Sequence, residues 1–259
     1  MCILNIFCTF VRKSNKYQYQ TMKTYIAMIS AALLPAILLL LFIWKKDPKK
    51  EPFKQLLKAF LYGVGICIPV VFVELGVNWL IFGDAVPATL LAVTTEAFVE
   101  AALVEETFKL IALWLVLRKN PYFDEHFDGI VYAVCVGLGF AAIENVLYVV
   151  GSEDWGIVAI MHALLAVPGH YAFAVLMGYY YALYHFVDRS VKNAIAVLLV
   201  PVMAHGIYDL LCMSGGIAPE LGVLVFIGLI YFCIKMHRVA YAHLNTLIEK
   251  DREIDGLTE

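Results

Sequence analysis

Residues 24–44 read TYIAMISAALLPAILLLLFIW, a stretch of 21 residues without a charged side chain. A helix needs about 20 apolar residues to cross the hydrocarbon core of a bilayer. Further stretches of comparable hydropathy follow, so the sequence predicts an all-α fold, a polytopic transmembrane helical bundle of about seven spans. The predicted spans are residues 24–44, 58–82, 98–117, 128–150, 156–185, 193–213 and 220–236.

The composition of the chain is also that of a membrane protein. Of the 259 residues, 62% are hydrophobic and 16% are charged, and the formal net charge is −3. Soluble domains have about 25% charged residues, so the composition excludes a disordered chain, a coiled coil and almost any soluble globular fold. No run of Lys and Arg interleaved with aromatic residues indicates a nucleic-acid partner. The cysteines inside the spans are interpreted as free thiols: Cys67, Cys135, Cys212 and Cys233.

The links between the spans alternate in charge. Lys and Arg lie in the first, third and fifth links and after the last span, whereas the second, fourth and sixth links have none. The positive-inside rule places the basic links in the cytoplasm, which predicts an N-out, C-in orientation. The lysines at 45–54 are read as a topology signal, with binding of anionic lipid as the alternative. We interpret residues 24–238 as a single transmembrane domain and 239–259 as a short polar cytoplasmic tail, for which a helix is one option.

Residues 1–23 disagree with this orientation, because Arg12, Lys13 and Lys16 would lie outside. The apolar piece at 1–11 is too short to span a bilayer and lacks the features of a signal peptide. We therefore treat 1–23 as a doubtful N-terminal extension, with Met22 as a candidate start. An extension that lies on the membrane surface is the alternative.

Ionisable side chains within several spans share one depth. Charged groups inside a bilayer are costly, and by default they mark function. At 1.5 Å per residue, the polar groups of spans two to six lie about 6–12 Å from the outer end of each helix. They are Glu74, Asn78, Glu105, Glu106, Glu144, Asn145, His162, His205 and Asp209, with Lys109 slightly deeper and His170 deeper still. The sequence thus predicts a polar pocket in the outer half of the bundle.

Helical spacing pairs some of these groups. Lys109 follows Glu105 by four residues and Glu106 by three, so either pair can neutralise its charge within one helix. The adjacent Glu105 and Glu106 point about 100° apart, so one can face the pocket and the other a neighbouring helix. His205 and Asp209 lie one turn apart on one face, so the carboxylate can orient the imidazole.

Other polar residues fit structural roles. We expect His170 to be an interhelical hydrogen-bond partner. Glu74 and Asn78 are interpreted as structural, and Glu96 and Glu100 as a solvated face at the membrane interface.

A carboxylate pair, histidines and a further acid around one pocket suit the activation of water for hydrolysis of a carbonyl, with peptide as the obvious membrane substrate. A buried glutamate can be the general base, and an imidazole can stabilise an oxyanion. The helical zinc motif H-E-x-x-H is absent, and Ser30 is the only serine near the middle of a span. We therefore expect no cofactor. A zinc site from His162, His205 and Glu105 stays open, because two histidines and a glutamate are a known catalytic set.

Two non-enzymatic hypotheses also stay open. A transporter or proton relay would use ionisable groups strung across the membrane, although no internal repeat supports it. A seven-span receptor rests on topology alone, and buried paired glutamates are not what a receptor needs.

The ordered motifs resemble the PrsW family of intramembrane proteases, which is related to the CAAX prenyl endopeptidases and the bacteriocin-processing proteases. The resemblance covers about residues 24–236. The matching segments are K-D-P-K-K-E-P at 46–52, E-E-x-x-K at 105–109, F-D-G-I-V-Y at 127–132, G-F-A-A-I-E-N-V-L-Y at 139–148, His162-Ala and H-G-I-Y-D at 205–209. The wider superfamily has E-E-x-x-x-R and F-x-x-x-H. Here Lys109 replaces the Arg one position earlier, and Glu144 stands where the second motif has its His.

The resemblance implies an intramembrane endopeptidase in which Glu105 is the base for water and Glu106 assists or anchors. His205 and Asp209 would bind and polarise the scissile carbonyl. The other implied site residues are Glu144, His162, Lys109 and Asn145. The resemblance further implies a multi-pass protein of the bacterial plasma membrane. Its substrate would be a single-pass, bilayer-anchored protein such as an anti-sigma factor, cut at an extracytoplasmic site 1.

Overall fold

The computed structural model describes residues 22–216 and 219–256, which form helices and contain no strand. The predicted all-α class is therefore confirmed. The predicted extension falls mostly on residues 1–21, which lie outside the described residues. The helices are α1 (Met22–Lys46), α2 (Phe53–Phe82), α3 (the consecutive segments Leu90–Thr95, Glu96–Ala102 and Leu103–Leu117), α4 (His126–Gly151), α5 (Trp155–Val187), α6 (Val191–Ser214) and α7 (Gly222–Ile254). A short 3-10 turn, Pro219–Leu221, precedes α7.

All of these helices except α3 are long and apolar enough to cross a membrane, which confirms a polytopic helical bundle. The third predicted span falls on α3, whose segment Glu96–Ala102 is a π-helical turn. This helix begins at Leu90, so the second half of the predicted outer link 83–97 is helical. The orientation of the bundle stays a prediction.

Helix α4 lies at the centre of the bundle and packs against α1, α2, α3, α5 and α7. Apolar residues occur on every side of it, as is typical of a buried helix: Phe127, Leu138 and Phe140 are fully enclosed. Gly139 lets α2 approach closely, because a Cβ atom there would lie 2.1 Å from the carbonyl oxygen of Phe60. The centre of the bundle is thus tightly packed.

The surface of the peripheral helices is apolar, as contact with lipid requires. On α2, Ile68 and Phe72 are 67% and 68% exposed. Exposed apolar side chains of this size would be unusual on a soluble protein.

Helix α7 continues through the predicted tail, so the helical option for 239–259 is confirmed up to Ile254. Leu244 and Leu247 are completely buried. The Asp251 carboxylate accepts hydrogen bonds from the backbone N–H groups of His126 at 3.0 Å and Phe127 at 2.8 Å. These N–H groups have no partner within their own helix, so the tail caps the start of α4.

Candidate active site

A cavity of about 910 Å³ lies between α2, α3, α4, α5 and α6. It extends to the link between α2 and α3 and to Gly216 after α6, both in links without Lys or Arg. The polar side chains that line it are Glu74, Asn78, Asp84, Glu96, Glu100, Glu105, Glu144, Tyr148, His162, His170, His205, Tyr208 and Asp209. The predicted polar pocket is therefore present, and among the described residues no Lys or Arg lines it.

Helix α3 presents its two glutamates in different directions, as their angular separation predicts. Glu105 lines the cavity, whereas Glu106 is completely buried behind it. The Nζ atom of Lys109 lies 2.9 Å from Oε2 of Glu105 and 2.8 Å from Oε1 of Glu106. It also lies 4.4 Å from the centre of the Phe140 ring, a favourable position for a cation. One ammonium group therefore compensates both carboxylates.

His205 of α6 is held from both sides of its ring. Its Nδ1 atom lies 3.0 Å from Oε1 of Glu106, and its Nε2 atom lies 3.3 Å from Oδ2 of Asp209. The ring of Phe173 stacks on it at 4.6 Å. The predicted pair of His205 and Asp209 is thus present, and Glu106 links it to α3.

His170 belongs to the same cluster, although its predicted depth lies below the pocket and its predicted role is an interhelical hydrogen bond. Its Nε2 atom lies 2.6 Å from Oε2 of Glu144, and its Nδ1 atom lies 3.2 Å from Nζ of Lys109. The sequence feature that indicates this position is the depth of His170 along its helix. His170 is the fifteenth residue after Trp155, and Glu105 is the fifteenth after Leu90, so each lies about 22 Å along its helix. Starting α3 at residue 98 hid this common depth.

The two predicted residues next to this cluster, His162 and Asn145, have different surroundings. His162 lines the cavity, with its ring 4.6 Å from that of Tyr148. It is not part of the group formed by Glu105 and His205, so the zinc set of these three residues is not assembled. Asn145 does not line the cavity. Its Nδ2 atom donates to the carbonyl oxygen of Ala32 at 2.7 Å, which ties α4 to α1.

Polar residues of α2 and α3 form the rim of the cavity. Glu100 is only 1% exposed, and its Oε2 atom accepts a hydrogen bond from Nδ2 of Asn78 at 2.7 Å. The expectation of a solvated face is therefore wrong for Glu100, because α3 extends beyond it to Leu90. Glu74 is also buried and lines the cavity.

Comparisons with known proteins identify a family for this chain. The profile of the family described as PrsW family intramembrane metalloprotease matches residues 51–235. The Protease PrsW of Oceanobacillus iheyensis is 33% identical over 227 residues, which is 86% of this chain and 99% of that protein. The enzymes of the same name from Geobacillus kaustophilus and Bacillus subtilis are each 35% identical, over 73% and 78% of this chain and 80% and 90% of theirs. No solved structure matches the chain.

The metal in that family description can be tested against the cluster. Ligand atoms of Glu105, Glu106, His170 and His205 all lie within 4.8 Å of one another, and their chemical types suit zinc. However, the ammonium of Lys109 contacts three of these four side chains at 2.8–3.2 Å. A metal ion would have to displace this internal cation. As arranged, the residues do not fit a metal ion.

Proposed function

This chain belongs to the PrsW family of intramembrane proteases, and we propose that it hydrolyses its substrate with a water molecule activated by Glu105. The observation that carries the proposal is the division of roles on α3. Glu105 reaches the cavity, whereas Glu106 does not line it and contacts Lys109 and His205 instead. A general base must face the substrate, and its partners must fix its position. Of the two glutamates, Glu105 meets both conditions.

In the proposed reaction the Glu105 carboxylate removes a proton from water, and the oxygen of that water attacks the carbonyl carbon of the scissile bond. The carbonyl oxygen takes the electron pair and becomes an oxyanion. When the tetrahedral intermediate collapses, the C–N bond breaks and Glu105 returns the proton to the leaving nitrogen. The Lys109 ammonium lies 2.9 Å from the Glu105 carboxylate and compensates its negative charge.

His205 is the proposed donor to the oxyanion. Carboxylates lie against both of its ring nitrogens, so each nitrogen has an acceptor beside it. The contact to Asp209 is the longer of the two, at 3.3 Å, so its proton can be shared with a substrate oxygen. A donor that is already in place costs no reorganisation during the reaction. Glu144 would fix His170 on the facing wall, and His162 would complete the cavity.

The proposed substrate is a single-pass membrane protein, cut near the extracytoplasmic face of a bacterial plasma membrane. The cavity extends to the links that contain no Lys or Arg, and the positive-inside rule assigns these links to the outside. The bacterial relatives support the location. An anti-sigma factor is the proposed substrate type, on the strength of the family resemblance.

The test is cleavage of a panel of single-pass anti-sigma-like proteins in proteoliposomes, with the products mapped by mass spectrometry. We expect wild type to cut a bond near the extracytoplasmic end of the substrate span. Glu105→Gln should lower the rate about 10²–10⁴-fold, since it removes the base. Glu249→Gln changes an exposed glutamate of α7 in the same way and should cleave like wild type. A Glu105→Gln variant as fast as wild type would overturn the mechanism.

A further inference from the structure

A second group of carboxylates lies at the opposite end of the bundle. Glu51, from the link between α1 and α2, meets Asp124 and Asp128 at the start of α4. Oxygen atoms of these three side chains all lie within 4.8 Å of one another. We call them the acidic cluster. Asp128 and Glu144 are 16 residues apart on α4, which separates this cluster from the active-site residues by about 24 Å.

The acidic cluster contains a buried oxygen atom without a partner. Asp128 is completely buried. Its Oδ2 atom accepts hydrogen bonds from the backbone N–H groups of Asp124 at 3.1 Å and Glu125 at 2.8 Å, whereas its Oδ1 atom has no hydrogen-bond partner among the residues that the structure describes. A buried polar atom left unpaired costs about 1–3 kcal/mol. The free oxygen is therefore available as a ligand for an external group.

The neighbouring carboxylates add negative charge and do not compensate the charge of Asp128. Glu51 is 8% exposed, and its Oε2 atom accepts a hydrogen bond from the Tyr132 hydroxyl. Asp47, on the same link, is 2% exposed, and its Oδ1 atom also lacks a partner.

The lysines of the same link are engaged elsewhere. Lys49 forms ion pairs with Glu125 and Asp255. The Nζ atom of Lys50 donates to backbone carbonyl oxygens, including that of Asp47. Within the described part of the chain, no Lys or Arg forms an ion pair with a member of the acidic cluster. An external cation would therefore supply the positive charge that these lysines do not.

We propose that Glu51, Asp124 and Asp128 bind a hard divalent cation of the Mg²⁺ type. Carboxylate oxygens are the preferred ligands of Mg²⁺ and Ca²⁺, and sites with few protein ligands complete their coordination with water. Asp124 is exposed, so it gives the ion and its water a route from solvent. The bound ion would fasten the link after α1 to the first turn of α4. This site is separate from the peptidase reaction and does not depend on it.

The test is binding of Mn²⁺, a spectroscopic substitute for Mg²⁺, to the purified full-length chain in detergent. Electron paramagnetic resonance counts the bound ions, and competition with Mg²⁺ and Ca²⁺ gives their affinities. We expect one site per chain, with binding weakened about tenfold or more in Asp124→Asn and Asp128→Asn because each removes one charged ligand. Mg²⁺ should also raise the unfolding temperature of wild type and not that of either variant.

Glu105→Gln is the matched control, because it alters the other candidate group of ligands and should keep the Mn²⁺ site. Asp124 is exposed, so its variant keeps the test valid if Asp128→Asn fails to fold. Absence of Mn²⁺ binding to folded wild type would overturn the proposal. So would unchanged binding in Asp124→Asn, or a site that disappears in Glu105→Gln.

Discussion

The two ends of α4 lie beside two groups of acids, and among the described residues only the group at the active site has a lysine as its partner. Behind the wall of the active-site cavity, Lys109 contacts both Glu105 and Glu106. Glu106 also has one oxygen without a hydrogen bond, but its other oxygen contacts Lys109 and His205. The free oxygen of Asp128 belongs to a carboxylate whose other oxygen accepts hydrogen bonds from the backbone N–H groups of Asp124 and Glu125. The difference teaches that buried carboxylates in one fold can be neutralised by an internal lysine or left for an external ion.

Removal of Lys109 should have the largest effect on stability. Lys109→Met leaves Glu105 and Glu106 as buried charges without their cation, which we expect to lower the free energy of unfolding by about 3–5 kcal/mol and to abolish cleavage. The same variant opens the group of donors to a metal, so it should gain bound zinc. Thermal unfolding in detergent and elemental analysis measure the two effects.

Lys58→Met is the control for this variant, because Lys58 is an exposed lysine of α2. It should change the stability by no more than about 0.5 kcal/mol. Equal stability of wild type and Lys109→Met would show that the ammonium does not compensate the glutamates.

Neutralising one acid at each end should change stability in opposite directions. In excess chelator, Asp128→Asn should raise the free energy of unfolding by about 1 kcal/mol, because it removes an uncompensated buried charge and keeps an acceptor for the backbone N–H groups. Glu106→Gln should lower it, since Lys109 and His205 each lose a charged partner. Chemical denaturation of both variants beside wild type measures the signs. If both variants changed the free energy of unfolding in the same direction, the two groups of acids would not differ in the way proposed.

Asn145→Ala should have the smallest effect and should mark the boundary of the active site. The variant loses one interhelical hydrogen bond to Ala32, which within a membrane is worth about 0.6 kcal/mol. Cleavage at a temperature well below unfolding should proceed at the wild-type rate, because Asn145 does not line the cavity. A large loss of activity in a stable Asn145→Ala protein would place this residue in the mechanism after all.

The fold and the polar pocket could be predicted from the sequence because both follow from local patterns. Apolar runs define most of the helices, and the spacing of Glu105, Glu106 and Lys109 gives their ion pairs directly. The common depth of His170 and Glu105 becomes visible only when the start of α3 is known. The sequence pattern places that start at residue 98, eight residues too late. The outer turns of that helix contain polar and charged residues, so their sequence resembles a link. The prediction therefore placed Glu100 at the surface and His170 below the pocket.

The acidic cluster depends on contacts between distant segments and has no local signature. Glu51 and Asp128 are 77 positions apart in the chain, and no spacing rule relates them. Asn145 shows the same limitation at short range. It follows Glu144 in the chain, yet the rotation of about 100° per residue along a helix turns it from the cavity to α1.

Cleavage by wild type after complete metal removal tests the contrast between the two ends most directly. The protein would be treated with excess chelator, its metal content measured, and its cleavage rate compared with that of untreated enzyme below the unfolding temperature. We predict that the divalent ion of the acidic cluster is lost while the rate of cleavage stays near that of untreated enzyme, because Lys109 supplies the positive charge at the active site. Loss of cleavage that zinc restores would contradict this account and place a metal ion beside Glu105.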